Sequence, residues 1–161
     1  MIDSDFRSCF FELMEYPDNP YHPLVWINGK ADIGEGTFIG GFTDINANGA
    51  RLVIGAHCDI SSFIAINVAT SHRSAIGLVD TDRYRDIFVG HHVYIGSHSV
   101  ITGGTRVGSR TVIGAGTILR GEDVPPYSLV IGNPAVIKPG HYKAELEASD
   151  LLDADETAET K

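Results

Sequence analysis

Residues 89–119 read VGHHVYIGSHSVITGGTRVGSRTVIGAGTIL, and an aliphatic residue returns at every sixth position: Val89, Ile95, Ile101, Val107, Ile113 and Leu119. The step extends backwards along the chain. Ile54, Ile60 and Ile66 keep it, and so do Ile27, Ile33, Ile39 and Ile45, set apart by three extra residues. All thirteen positions hold Ile, Val or Leu. A period of six belongs neither to an amphipathic helix nor to a simple alternating strand. It marks an internal repeat whose units bury their apolar faces only against their neighbours.

Each hexad therefore predicts a short strand and a turn, with three hexads closing one triangular coil of about eighteen residues. The aliphatic side chain points inward and stacks on its equivalent one coil away. The next residue is Gly in seven hexads (Gly34, Gly40, Gly55, Gly90, Gly96, Gly108, Gly114), where tolerance of turn dihedrals is the expected reason. The fifth residue is small at Ala31, Thr37, Thr43, Cys58, Thr70, Ser99, Thr105, Thr111 and Thr117. These residues are expected to face into the narrow corners. The fold class expected is all-β, a parallel β-helix.

Working outward, residues 3–15 carry Phe6, Phe10, Phe11, Leu13 and Met14 at helical spacing and predict a short helix. Ser4 or Asp5 is placed to cap it, and Pro17-Asp18-Asn19-Pro20 to end it. Such a helix would cover the otherwise open edge of the first coil. Arg51-Leu52-Val53 is read as a three-residue insertion bulging one corner. The segment from Arg73 to Phe88, with Asp80, Asp82, Arg83, Arg85 and Asp86, is too charged for the inner column and predicts a projecting, functional loop. Tyr127 to Pro139 closes the coil, 142–152 predicts a short helix, and Asp153 to Lys161 a disordered acidic tail. The organisation expected is thus a capping helix (1–20), the β-helix (21–138, projecting loop 73–88) and a helix with tail (139–161).

The net charge of −9 disfavours nucleic acid as a partner, because an acidic chain repels phosphate backbones. Much of that acid lies in 141–161, so the repeat body is closer to neutral. Cys9 and Cys58 have no metal-ligand spacing and are expected to be reduced, partly buried thiols. The start has no basic, apolar leader and no stretch reaches transmembrane length. The expectation is a cytoplasmic protein that binds no membrane and no metal.

Residues 89–138 contain IG-hexads, then IGAGT, DVPPYS and IGNPA. The last two pieces are not required by a β-helix. Together they resemble the C-terminal half of the galactoside, maltose and serine acetyltransferases, and the likeness covers roughly residues 27–138. The hexapeptide-repeat acyltransferase family, most nearly its galactoside and maltose type, is thereby suggested. The resemblance implies a left-handed β-helix; general physics favours right-handed crossovers, so the hand comes from the resemblance alone. It also implies acetyl-CoA as co-substrate and a homotrimer with active sites between subunits.

In that family one His on the coil before a projecting loop is the general base. The matching residue is His72, which falls where the next inward aliphatic is due. Acyl transfer needs a group that takes a proton from a hydroxyl or amine near neutrality, and imidazole suits this. The oxyanion needs a fixed donor, commonly a backbone N–H. The resemblance assigns that donor and nearby CoA contacts to Ser97 and Ala115, and CoA phosphates to Arg120 and Lys138. Acceptor contacts are expected from Asp44, Asn46, Asn67, Asp82, Arg83 and Tyr84. The chain departs from the family at Tyr94, where Trp is common, and in the longer spacing through Arg120-Gly121-Glu122-Asp123.

The acceptor expected is a sugar hydroxyl or amino group, in bacterial polysaccharide or nucleotide-sugar metabolism. Serine or an antibiotic is the alternative within the same chemistry. Two other classes remain open: a zinc carbonic anhydrase-like trimer using His91, His92 and His98, and a non-catalytic trimeric scaffold.

Overall fold

Each hexad forms a strand of two or three residues and then turns, and the chain winds into a three-faced parallel β-helix. The computed structural model describes residues 4–14 and 19–149. The first face stacks Trp26–Asn28, Asp44–Asn46, Ala65–Asn67, Val100–Thr102 and Ile118–Leu119. The second stacks Ala31–Ile33, Leu52–Ile54, Ile87–Val89, Arg106–Val107 and Asp123–Val124. The third stacks Phe38–Ile39, Asp59–Ile60, Tyr94–Ile95, Val112–Ile113 and Leu129–Ile131, with Val136–Lys138 added antiparallel at its edge.

Register puts aliphatic on aliphatic: Ile27 pairs with Ile45, Ile45 with Ile66, Ile66 with Ile101 and Ile101 with Leu119. This column is the core. Ile45, Ile60, Ile66, Ile95, Ile101 and Ile113 are 0% exposed, and burying each such side chain contributes about 1.5–3 kcal/mol. The small fifth residues face in and tie coils together. The Thr37 hydroxyl donates to the Gly55 carbonyl at 2.8 Å and accepts the Cys58 N–H at 3.1 Å. Thr70 differs, being only half-buried because the chain has already left the coil there.

The hexad glycines serve a different purpose from the one expected. None of the seven has a positive φ. They are needed because successive coils touch: a Cβ on Gly34 would lie 2.4 Å from the Ala56 amide nitrogen, and one on Gly108 would lie 2.3 Å from that of Pro126. The left-handed conformation falls two residues after that hexad position, glycine or not, at Phe42, His57, Phe63, His92, His98, Arg110 and Tyr127, and at Gly36 and Gly116. A non-Gly residue there costs about 1–2 kcal/mol. Stacking along each corner offsets it: Phe42 on Phe63 at 4.9 Å, Phe63 on His98 at 5.0 Å, and His57 on His92 at 5.1 Å between centroids.

Three details differ from the sequence reading. Arg51-Leu52-Val53 does not bulge as a unit, because Leu52 is a buried strand residue at 1% exposure; the extra length is taken by the turn at 48–50. The projecting segment ends at Asp86, since Ile87 and Phe88 already belong to the strand Ile87–Val89. Cys9 is exposed rather than partly buried, whereas Cys58 is buried and its thiol is pushed up by that burial.

The N-terminal helix α1 spans Ser4–Leu13 and buries Phe11. The C-terminal helix is seen over 143–149, and the acidic tail lies outside the described residues. Among the described residues no helix is long and apolar enough to cross a membrane.

Candidate active site

Irregular turns gather on one edge of the prism, between the first and second faces. Here lie Gly29, the turn at 48–50, the Gly103-Gly104 pair and Arg120-Gly121. Here too the chain leaves the coil after Val68. Ala69–Thr70 pairs antiparallel with Arg83–Tyr84, and between these strands sits the one-turn helix α2, His72–Ala75. The projecting segment is therefore an ordered hairpin that folds back over its own edge. The Tyr84 ring covers Gly49, where a Cβ would come within 2.4 Å of it. The Arg85 amide donates to the Val68 carbonyl at 3.0 Å.

His72 does not occupy the inner column. It is the first residue of α2 and is exposed, while Val68, 0% exposed, is the last inward aliphatic before the hairpin. The side chain of His72 lines a cavity of about 740 Å³ together with Thr70, Thr102 and Asp82. Arg73, Arg83, Arg85 and Arg120 complete its polar wall. The Ser74 hydroxyl hydrogen-bonds the Asp82 carboxylate, which ties α2 to the returning strand.

Of the expected acceptor contacts, Asp82 and Arg83 thus line the same cavity as His72. Tyr84 lies on the same hairpin but faces Gly49. Asn46 and Asn67 form a ladder at the end of the first face: the Asn46 amide donates to the Asn67 side-chain oxygen at 3.2 Å, which also accepts the Ala69 N–H at 2.8 Å. Asn67 so fixes the point where the hairpin departs. Asp44 is not part of this group. It begins its strand, two residues before Asn46, and lines a separate cavity of about 330 Å³ beside Trp26 and Phe42; partial burial pushes its carboxyl up.

The expected CoA contacts divide between edges. Arg120 shares the cavity of His72. Ser97 and Ala115 lie at the edge between the third and first faces, one coil apart, joined through the Gly116 N–H and the Ser97 carbonyl at 2.9 Å. Lys138 sits on the third face, opposite Leu129. At equivalent turn positions on another edge the backbone N–H is used, Ala56 donating to His91 Nδ1 and His91 to the Ser109 hydroxyl, each at 3.0 Å. The N–H groups of Ser97 and Ala115 have no such protein acceptor among the described residues. They suit the role of oxyanion or pantetheine donors. Gly114 and Gly116 flank Ala115 with residues that carry no side chain.

Within one chain these donors and His72 stand on different edges. The zinc arrangement does not form within one chain either: His92 stacks with His57 at one corner and His98 with Phe63 at another. Among the described residues no three His, Cys, Asp or Glu side chains gather around a common point. Arg73, Arg85 and Thr102 are cavity residues not expected from the sequence. The trace of Arg85 in the sequence is glycine at 104 and 121, where a Cβ would lie 2.7 and 2.9 Å from its guanidinium.

No family model matches the chain. It is 32% identical over 122 residues to the chloramphenicol acetyltransferase of Escherichia coli, a match covering 64% of this chain and 57% of that one. Other curated relatives, among them a Staphylococcus aureus (strain COL) protein named as an acetyltransferase, are 37% identical over 51 residues, about a quarter of their own length. The crystal structure of a hexapeptide-repeat acetyltransferase of Vibrio cholerae complexed with acetyl coenzyme A is similar with a TM-score of 0.63 and 28% identity, covering 85% of this chain and 77% of that one. A polySia-specific acetyltransferase is similar with a TM-score of 0.58 and 29% identity, covering 67% and 51%. The hexad ladder, the three-faced topology and these likenesses together make the chain similar to hexapeptide-repeat acetyltransferases.

Proposed function

We propose that the chain is a CoA-dependent acetyltransferase that modifies a sugar hydroxyl or amino group, with His72 as general base. The observation that carries this reading is the placement of His72. Among the described residues the long departure from the regular coils puts an exposed imidazole on the wall of a cavity lined by polar side chains, which agrees with the expectation of a base before a projecting loop. The base takes the proton from the acceptor as it attacks the thioester carbonyl; the carbonyl oxygen gains charge and is held by backbone N–H groups; the tetrahedral species then expels the CoA thiolate, which is reprotonated. The N–H groups free for this are at Ser97 and Ala115, on another edge of the prism. The proposal therefore includes a homotrimer in which His72 of one subunit faces Ser97 and Ala115 of the next.

The likeness to a polySia-specific enzyme supports a sugar acceptor, and the proposal extends to a place in polysaccharide or nucleotide-sugar metabolism. The chloramphenicol acetyltransferase likeness favours an antibiotic as second reading. The deciding experiment measures CoA release from acetyl-CoA with free sugars, nucleotide-linked amino sugars, serine and chloramphenicol. Turnover with a sugar supports the proposal; turnover with serine or chloramphenicol alone would overturn the sugar assignment.

A further inference from the structure

The cavity under the hairpin holds four arginines, Arg73, Arg83, Arg85 and Arg120, in a chain with only twelve basic residues and a net charge of −9. Among the described residues the ion pair present is Lys143–Glu147, on the C-terminal helix; none of the four arginines is neutralised. The acidic residue lining the cavity, Asp82, is held by the Ser74 hydroxyl. Nearby acids are engaged elsewhere: Glu122 accepts the Arg120 backbone N–H, and Asp86 accepts that of Arg51 at 2.9 Å.

Arg85 is positioned by shape. A Cβ on Gly104 would lie 2.7 Å from its Cζ, and one on Gly121 would lie 2.9 Å from Nη2. The guanidinium therefore rests on a shelf that only glycine leaves open. Its Nε is buried and has no hydrogen-bond partner. Buried polar groups are ordinarily paired, and a planar guanidinium without a carboxylate is a fork for anionic oxygens.

We infer that this cavity is the anion subsite of the acceptor pocket: Arg85 and Arg120 take a phosphate or carboxylate borne by the acceptor, whose nucleophile then faces His72. The inference rests on the acyl-transfer reading and narrows it to anionic acceptors. Phosphate and carboxylate share the recognition chemistry of paired oxygens, so the test separates them.

The test is calorimetric titration of the full chain at low salt, where such contacts are least screened, with inorganic pyrophosphate and separately with glucuronate. At least one is expected to bind. Arg85→Gln and Arg120→Gln are each expected to weaken that binding by roughly tenfold or more, with circular dichroism unchanged. Arg106→Gln should not alter it, since Arg106 sits 4.3 Å over the Phe88 ring, outside the cavity. Binding of pyrophosphate alone identifies a phosphate-bearing acceptor, and binding of glucuronate alone a carboxylate-bearing one. Binding of neither, undiminished binding in both cavity variants, or loss of pyrophosphate binding when CoA is saturating would overturn the inference; the last would make the cavity the seat of the donor's phosphates. CoA release is read independently. Turnover on a neutral sugar that survives Arg85→Gln and Arg120→Gln sinks the anion subsite and spares the acyltransferase. Anion binding through the arginines without CoA release from any acceptor does the opposite.

Discussion

The α-carbon of Gly55 faces the carbonyl oxygen of Gly90 one coil away, so closely that a methyl group on Gly55 would come within 2.5 Å of it. The neighbour is backbone and cannot swing aside. Gly55→Ala is therefore expected to destabilise the fold by overpacking, about 1–3 kcal/mol or more. Gly116 has open space around its Cβ position but a φ of +70°, so Gly116→Ala should cost about 1–2 kcal/mol from backbone strain alone. Urea unfolding of both variants checks this. A Gly55→Ala protein as stable as wild type would show that the coils can part.

Phe63 tests the opposite balance. Its φ is 62°, yet its ring is sandwiched between Phe42 and His98. Phe63→Ala removes the stack and keeps the strain, whereas Phe63→Gly removes both. The glycine variant is expected to melt above the alanine variant, by an amount equivalent to about 1 kcal/mol. The reverse order would mean that the turn is not strained.

Replacing His72 by Ala is expected to lower turnover by about 10²–10⁴-fold, the span for loss of a general base. The residue is exposed and outside the column, so the melting temperature should not move and CoA should bind as before. Near-normal turnover with the true acceptor would remove His72 from the mechanism.

The turn of the hairpin carries Ile76 and Leu78, 69% and 62% exposed. Shortening it between Gly77 and Asp80 should raise the KM for the acceptor while leaving CoA affinity unchanged. A change in CoA affinity with acceptor KM intact would reassign the hairpin to the donor.

Light scattering at micromolar concentration should give three times the mass of one chain. A monomer that retains full turnover would refute the intersubunit pairing of His72 with Ser97 and Ala115.

The hexad series determined the fold class directly, because a β-helix repeats the same burial problem in every coil. Once Ile27, Ile45, Ile66 and Ile101 are known to be inward, sheet register and core follow from the period. The hairpin was legible as an interruption, since its charges could not enter the column, but its end at Asp86 was not: Ile87 and Phe88 look no different from loop apolars until Ile87 is found paired with Leu52. The glycine rule was misread for a related reason. A sequence shows that a side chain is absent, not whether dihedral freedom or a backbone one coil away requires the absence.

The candidate site lay mostly beyond the sequence. His72, Asp82 and Arg83 are near one another in the chain, so their gathering could be foreseen. Thr102 and Arg120 reach the same cavity from coils thirty and forty-eight residues further on, through the parallel register of the first face. The sequence by itself determined the solenoid, since periodic burial is a property of spacing. Only the tertiary structure decided which corner of each coil stacks on which. That stacking put Arg85 over Gly104 and Gly121, and left Ser97 and Ala115 on a different edge from His72, because residues at a β-helix corner become neighbours through coil height and not through sequence distance.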